Sequence, residues 1–152
     1  MPQFQGSGFA LTLPEECYDA SAYTFALPEY NGFAPNLSIR FETVPAGTDI
    51  QQYADAALAS LSGQFDGFEL IDKLSGKRGE WDGVMATVAW GEGAARMLQK
   101  LFYMLVCRKQ CRVYILTTTD LLANAKQSAP VFDQMLRSFA PNEIQFIWGK
   151  AN

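Results

Sequence analysis

The stretch from Met97 to Thr119 constrains this chain more than any other. It runs MLQKLFYMLVC, then Arg108-Lys109-Gln110, then CRVYILTTT, which reads as two long strands joined by a short turn. A strand in a sheet with one wet face alternates apolar and polar residues. These two do not. Leu98, Phe102, Met104 and Val106 fall on one face, and Met97, Leu101, Tyr103 and Leu105 on the other. Such a sheet needs cover on both sides, so the question for function is whether the chain supplies both covers or a partner supplies one.

The rest of the chain divides at its turn residues. Phe9–Leu13 is a short strand stopped by Pro14, and Tyr18–Leu27 a second, with Tyr23, Phe25 and Leu27 on one side. After the loop PEYNGFAP, Asn36–Val44 alternates Leu37, Ile39, Phe41 and Thr43 against Ser38, Arg40 and Glu42. A helix then starts at Thr48, whose spacing to Gln51 matches a capping box. Ile50, Tyr53, Ala54, Ala57, Leu58, Leu61 and Phe65 form its core-facing stripe, and Gly63 or Gly67 ends it. Phe68–Leu74 and Trp81–Trp90 are strands around the turn Ser75–Gly79. A second helix begins near Leu121 or at Ser128 and ends at Ser138. Pro130 favours Ser128 as its cap, since proline is best tolerated in a first turn. The tail NEIQFIWGKAN places Ile144, Phe146 and Trp148 at alternate positions, a pattern open to an edge strand, an arm on a partner or a frayed end.

The order is therefore β-β-β-α-β-β-β-β-α, an α+β fold with an antiparallel sheet of six to seven strands. Two helices can pack one face of such a sheet, leaving the other open unless it curls or something docks. Residues 1–141 read as a single domain and 142–152 as a C-terminal tail. The sequence has 152 residues, enough for a real core, and 49% hydrophobic against 18% charged residues argues against disorder.

Composition also removes functions. With a net charge of −4 and no basic stripe, neither nucleic acid nor an anionic membrane surface is an expected partner. No run reaches the roughly 20 apolar residues of a membrane span, and the first residues lack the features of a secretory signal. The expected location is the cytoplasm. The cysteines are Cys17, Cys107 and Cys111, an odd count that argues for reduced thiols there. Cys107 and Cys111 flank the hairpin turn and read first as small apolar strand residues, with a redox or metal role as the alternative. With no histidine in the chain, zinc sites and Ser/His or Cys/His nucleophilic schemes lose their usual parts. Glu15 and Glu16 sit in a turn, and Gly91-x-Gly93 is followed by a strand where a phosphate loop needs a helix. Neither an enzyme nor a bound cofactor is expected.

If residues 107 and 111 pair, and 90 and 96 pair, one face carries Met85, Thr87, Ala89, Met97, Gln99, Leu101, Tyr103, Leu105, Val113, Ile115 and Thr117. The other carries Val84, Val88, Trp90, Leu98, Lys100, Phe102, Met104, Arg112, Tyr114 and Leu116. A slip of one residue exchanges these sets. Apolar groups mixed with Gln99, Thr87 and Thr117 suit an apolar helix, because helices associate in membranes through the same chemistry. Pattern alone favours the plainer alternative, a core face covered by the two helices with Gln99 at its edge.

The segments LTLPEECYDASAYTFALPE, NLSIRFETVPAGTDIQQYADAALASL, MLQKLFYMLV, YILTTT and FDQMLRSF resemble the DcrB-related family, and within it the Eag group of type VI secretion chaperones. The likeness covers about Phe9 to Pro141 and lies in the pattern of strand and helix positions. It implies a PsbP-like α/β sandwich and a homodimer with a cradle-shaped hydrophobic groove. It also implies a role: shielding the N-terminal transmembrane helices of a secreted Rhs/PAAR-type effector before export. In the family that groove draws on the strand matching Leu37, Ile39 and Phe41 and on a glutamine matching Gln99. The chain departs from the family at Tyr18, where many relatives have tryptophan, at Ser21, where threonine is common, and at Leu101, where a second glutamine often stands. The expected client groove comprises Tyr23, Phe25, Leu37, Ile39, Phe41, Met97, Gln99, Leu101 and Thr117. The alternative is a general protein-interaction module of the same fold with no transmembrane client; neither reading has the chain itself insert into a membrane.

Overall fold

A computed structural model describes residues 3–6, 8–17 and 20–141. Tyr18, where the second strand is expected to begin, and the tail 142–152 lie outside them. The chain divides into two units, Met1–Ala20 with Phe139–Asn152, and Ser21–Ser138. The first contains a hairpin of β1 (Gln3–Gly6) and β2 (Phe9–Thr12), paired from Gln3↔Thr12 to Gly6↔Phe9. The short polar β1 has no apolar alternation to announce it. It adds a strand to the expected order, and the hairpin forms its own two-stranded sheet.

The second unit is a six-stranded antiparallel sheet in the order β3-β4-β8-β7-β6-β5. Its strands are β3 (Tyr23–Ala26), β4 (Asn36–Val44), β5 (Glu69–Arg78), β6 (Trp81–Trp90), β7 (Met97–Cys107) and β8 (Cys111–Leu121). The α+β class and the antiparallel six-stranded sheet are as the sequence leads one to expect. β3 stops at four residues because its ladder with β4 runs only from Tyr23↔Ile39 to Ala26↔Asn36. β5 outlasts its apolar residues, since the polar run Ser75–Arg78 still pairs with Val84–Trp81. On an edge strand, polar side chains can face water without ending the ladder.

Helix α1 (Ile50–Gln64) is capped by Asp49, not Thr48: the Asp49 carboxylate accepts from the N–H groups of Gln51 at 2.8 Å and Gln52 at 3.2 Å. The Thr48 hydroxyl instead donates to the Pro45 carbonyl at 2.7 Å, closing the preceding turn. At the other end Gly67 has φ +66°, and an added Cβ would lie 2.9 Å from the Gly91 carbonyl oxygen. Arg96 secures that close approach by donating to the carbonyls of Gly67 at 2.9 Å and Gly91 at 2.8 Å, and to Glu69 at 2.9 Å. A 3₁₀ turn at Leu122–Asn124 leads into α2 (Ala125–Ser138), so Ser128 is not its cap and Pro130 lies inside it. The buried Ser128 hydroxyl donates to Asp120 at 2.5 Å, pinning the first turn of α2 to the end of β8.

Two register facts decide the faces. Cys107 pairs with Cys111 as expected, but Trp90 pairs with Met97, not with residue 96. The link between β6 and β7 closes as a 3₁₀ turn, Gly93–Ala95, whose carbonyl at Gly93 accepts from the Arg96 N–H at 3.2 Å. That slip moves β6 to the opposite face relative to β7. Val84, Ala86 and Val88, with Leu101, Tyr103, Val113 and Ile115, therefore pack under Ile50, Ala54 and Leu58 of α1.

The opposite face carries Leu98, Lys100, Met104, Leu116 and Thr118, and α2 lies on it. Asp120–Ser128, the 3.6 Å ion pair Lys100–Asp133, and the Arg78 guanidinium on the Leu136 and Arg137 carbonyls fasten the helix there. The expectation that both helices cover one face is thus corrected: each face receives one. α1 links the second strand of the sheet order to the last and must cross a whole face. α2 leaves from an inner strand and folds back over the other.

Cys107 and Cys111 form a disulfide, with Cα atoms 4.0 Å apart, and Cys17 is free and exposed. The expectation of reduced thiols gives way to direct cross-strand pairing, which brings the two side chains together whatever the parity of the count.

Candidate functional site

β3 ends the sheet order and pairs only with β4. Its sequence, Tyr-Thr-Phe-Ala, puts Tyr23 and Phe25 on the α2 side opposite Ile39 and Leu37. Tyr23 is 60% and Phe25 51% exposed, whereas Leu37 is only 3% exposed. Ile39 and Phe41 are half-buried. The result is an apolar strip on the α2 side that becomes more exposed toward the edge. At its β8 end Phe41 lies 6.0 Å from the Tyr114 ring, with the Arg112 guanidinium 4.3 Å over its face.

The loop behind this edge is anchored. Asn31 and Gly32 take positive φ, 51° and 81°. The Asn124 amide donates to the Tyr30 carbonyl at 3.1 Å and accepts from the Asn31 amide at 3.3 Å. The Leu27 N–H bonds the Pro35 carbonyl at 2.7 Å. The aromatic pair therefore stands on a braced hairpin.

The α1 side of the same strands is different in kind. The rows Thr24↔Ser38↔Thr117 and Ala26↔Asn36↔Thr119 present hydroxyl and amide groups. Gln99 closes this strip: its amide oxygen accepts from the Trp90 indole at 3.0 Å and its nitrogen donates to the Thr119 hydroxyl at 3.1 Å. Trp90 in turn stacks on Phe65 with ring centroids 4.4 Å apart.

The expected groove residues thus separate. Tyr23, Phe25, Leu37, Ile39 and Phe41 share the α2 face; Met97, Gln99, Leu101 and Thr117 share the α1 face, through the pairs Leu101↔Thr117 and Gln99↔Thr119. Leu101 and Met97 are buried, and the Gln99 amide is satisfied within the protein. The two groups do not line one surface. The odd-numbered residues of β4 look equivalent to those of β7 in sequence, but the pairing sum across β8 puts them on opposite sides.

Titration is perturbed mainly beside α1. The Tyr53 hydroxyl donates to Glu42 and, with Arg40 assisting against partial burial, holds that carboxyl below its usual value. Burial, then Glu42, pushes the Tyr53 phenol up, and burial pushes Tyr103 to about 12. An open depression of about 580 Å³ at the start of α1 holds Asp49, Gln51, Lys77 and Asp82. Its polar groups bond one another, with Gln51 on Ser75 at 2.7 Å and Lys77 on Asp82 at 3.6 Å. Among the described residues no group of three or more His, Cys, Asp or Glu is arranged for a metal ion, and no helix is long and apolar enough to cross a membrane. The exposed Leu70, Ile71 and Leu74 of β5 are not among the residues the sequence singles out; nothing in their local pattern signals that the strand ends the sheet.

Comparison with known proteins places this architecture. Pseudomonas aeruginosa PA94, a protein of unknown function, superposes with a TM-score of 0.75 at 17% identity, over 93% of this chain and 97% of that one. LpqN, involved in cell envelope biogenesis of Mycobacterium tuberculosis, gives 0.56 at 10% identity over 78% and 82%. CyanoP, the PsbP of Synechocystis sp. PCC 6803, gives 0.53 at 10% identity over 90% and 100%. At such identities the likeness is one of fold, and the fold is that of PsbP. No curated protein sequence matches the chain. The DcrB family model matches residues 9–138, which takes in every strand and helix from β2 to α2. The chain belongs to the DcrB family.

Proposed function

We propose that the protein is an export chaperone of the Eag kind. It binds an apolar helix from the N-terminal transmembrane region of a type VI effector and keeps it from water until secretion. The observation that carries this reading is the pair Tyr23 and Phe25, 60% and 51% exposed on an uncharged edge strand, continued inward by Ile39 and Phe41. Exposed apolar patches rimmed by polar groups mark binding surfaces. Gln99, half-buried and bonded to Trp90 and Thr119, is a packing residue in this reading and not a client contact. Two copies would together form the cradle, in the cytoplasm, before export.

The energetics are compatible with release. Covering about 1,000 Å² of apolar helix is worth at most roughly 25 kcal/mol gross, and ordering and association costs remove much of it. Co-expression with the effector's N-terminal region is the test. The chaperone reading requires that region to be soluble only with this protein, and a region equally soluble alone overturns it.

A second reading, an interaction module working in an oxidising compartment, is favoured by the Cys107–Cys111 disulfide, since such bonds persist mainly outside the cytosol. Alkylation of the thiols in intact cells separates the two. A reduced pair supports the cytoplasmic chaperone, and an oxidised pair supports the module.

A further inference from the structure

We infer that Cys107 and Cys111 form a thiol–disulfide exchange site, opened and closed by an external dithiol while the fold stays intact. The bond joins residues four apart in sequence that the ladder already holds opposite each other. Between them Arg108-Lys109-Gln110 closes a turn through a 3.0 Å bond from the Arg108 N–H to the Gln110 carbonyl. A disulfide stabilises chiefly by restricting the unfolded chain, and least for short loops. This one closes a very short loop at the end of a ladder that runs from Met97↔Leu121 to Cys107↔Cys111. Breaking it leaves every other pair of that ladder in place.

Access and charge point the same way. Cys107 and the turn residues 108–110 are exposed, while Cys111 is half-buried. Arg108 lies 5.6 Å from the Trp81 ring centroid, and Lys109 is next in the turn. Cationic neighbours stabilise a departing thiolate, and a better leaving group exchanges faster. An external thiolate attacks Sγ of the exposed Cys107. The S–S bond breaks, and its electron pair leaves on Sγ of Cys111, which takes up a proton. The second thiol of the reagent, as thiolate, then attacks the mixed disulfide and releases Cys107 as the second thiol. The chain gains two electrons and two protons, and the dithiol becomes a disulfide. Because Cys111 also pairs with Val44, just before the Pro45–Asp49 turn that starts α1, the site sits where β4, β8 and the α1 connection converge.

The experiment uses the full chain carrying Cys17→Ser, which removes the free exposed thiol. Oxidised protein is incubated with dithiothreitol under native conditions, quenched with a maleimide and weighed, beside a sample unfolded in guanidinium. Exchange predicts two adducts at native and unfolded rates within about tenfold of each other, unchanged circular dichroism, and return to zero adducts with excess oxidised glutathione, whose mixed disulfide the second thiol resolves. Labelling only after unfolding would make the bond a structural staple and overturn the inference. So would thiols that excess oxidised glutathione fails to join in the folded protein. Cys111→Ser, which folds without the bond if the ladder suffices, must show one adduct after dithiothreitol, native or unfolded.

Discussion

The two edges of the sheet are built on opposite principles. β5 is ten residues long, carries a bulge between Leu70 and Asp72, and interleaves its exposed Leu70, Ile71 and Leu74 with charges. Lys73 is ion-paired to Asp55 and Lys77 to Asp82. Bulges and lysines are how sheet edges avoid unwanted pairing. β3 is four residues long, uncharged and regular, and shows two aromatic rings to solvent. One edge is defended by irregularity and charge, and the other only by being short. Under the proposed chaperone function, that difference assigns the client to β3 where apolar exposure alone does not, because both edges expose apolar side chains.

The largest expected effect separates the edges by charge insertion. Tyr23→Asp with Phe25→Asp should weaken client binding by about 100-fold or more, roughly 2.7 kcal/mol, with little change in thermal stability at such exposed positions. Leu70→Asp with Leu74→Asp should leave binding within about twofold. Equal losses from both pairs, measured by titration of the client's apolar segment, would erase the distinction.

Next in size is Gln99→Leu. It strands the Trp90 indole and the Thr119 hydroxyl, a loss of about 1–3 kcal/mol in denaturant melts, while client affinity stays the same. Loss of affinity without loss of stability would return Gln99 to the binding surface.

A smaller effect comes from making β5 resemble β3. Lys73→Val with Lys77→Val should produce concentration-dependent self-association in sedimentation velocity, and unaltered monomer–dimer behaviour would show that charge does not protect that edge.

The smallest effects are those of pH, which act on the core beneath α1 and should treat both edges alike. The Tyr103 phenol is favoured neutral in the fold, so its contribution is complete below the ordinary value near 10 and is lost as pH rises toward about 12. The Glu42 carboxyl is held low by Tyr53, so its contribution is present above its ordinary value and fades as pH falls through the lower folded one. Melting temperature against pH should decline on both sides, and Tyr53→Phe should flatten the acid limb.

Much of the sheet was legible in the sequence because its signals are local. β4 and β6 have the bounds their alternation and flanking turns predict, and the two-sided apolar pattern of β7 and β8 correctly demanded two covers. What failed was relational. Nothing local distinguishes Trp90 pairing with residue 96 from Trp90 pairing with Met97, yet that choice flips β6. No periodicity tells a helix which face to cross, so the sequence does not divide α1 and α2 between the two. Gln99 resembled a groove residue because its partners, Trp90 and Thr119, are distant in sequence and meet it only once the register is set. Tyr23, Phe25, Ile39 and Phe41 remained together because they share one short hairpin.

Crosslinking from the two edges decides whether β3 or β5 meets the client. A photoreactive phenylalanine analogue replaces Phe25 in one protein and Leu74 in another, each co-expressed with the effector's N-terminal region and irradiated as the complex. The β3 site should yield crosslinks mapped by mass spectrometry to the client's apolar helix, and the β5 site none. Crosslinks to that helix from Leu74 and not from Phe25 would put the client on β5 and rule out the β3 surface.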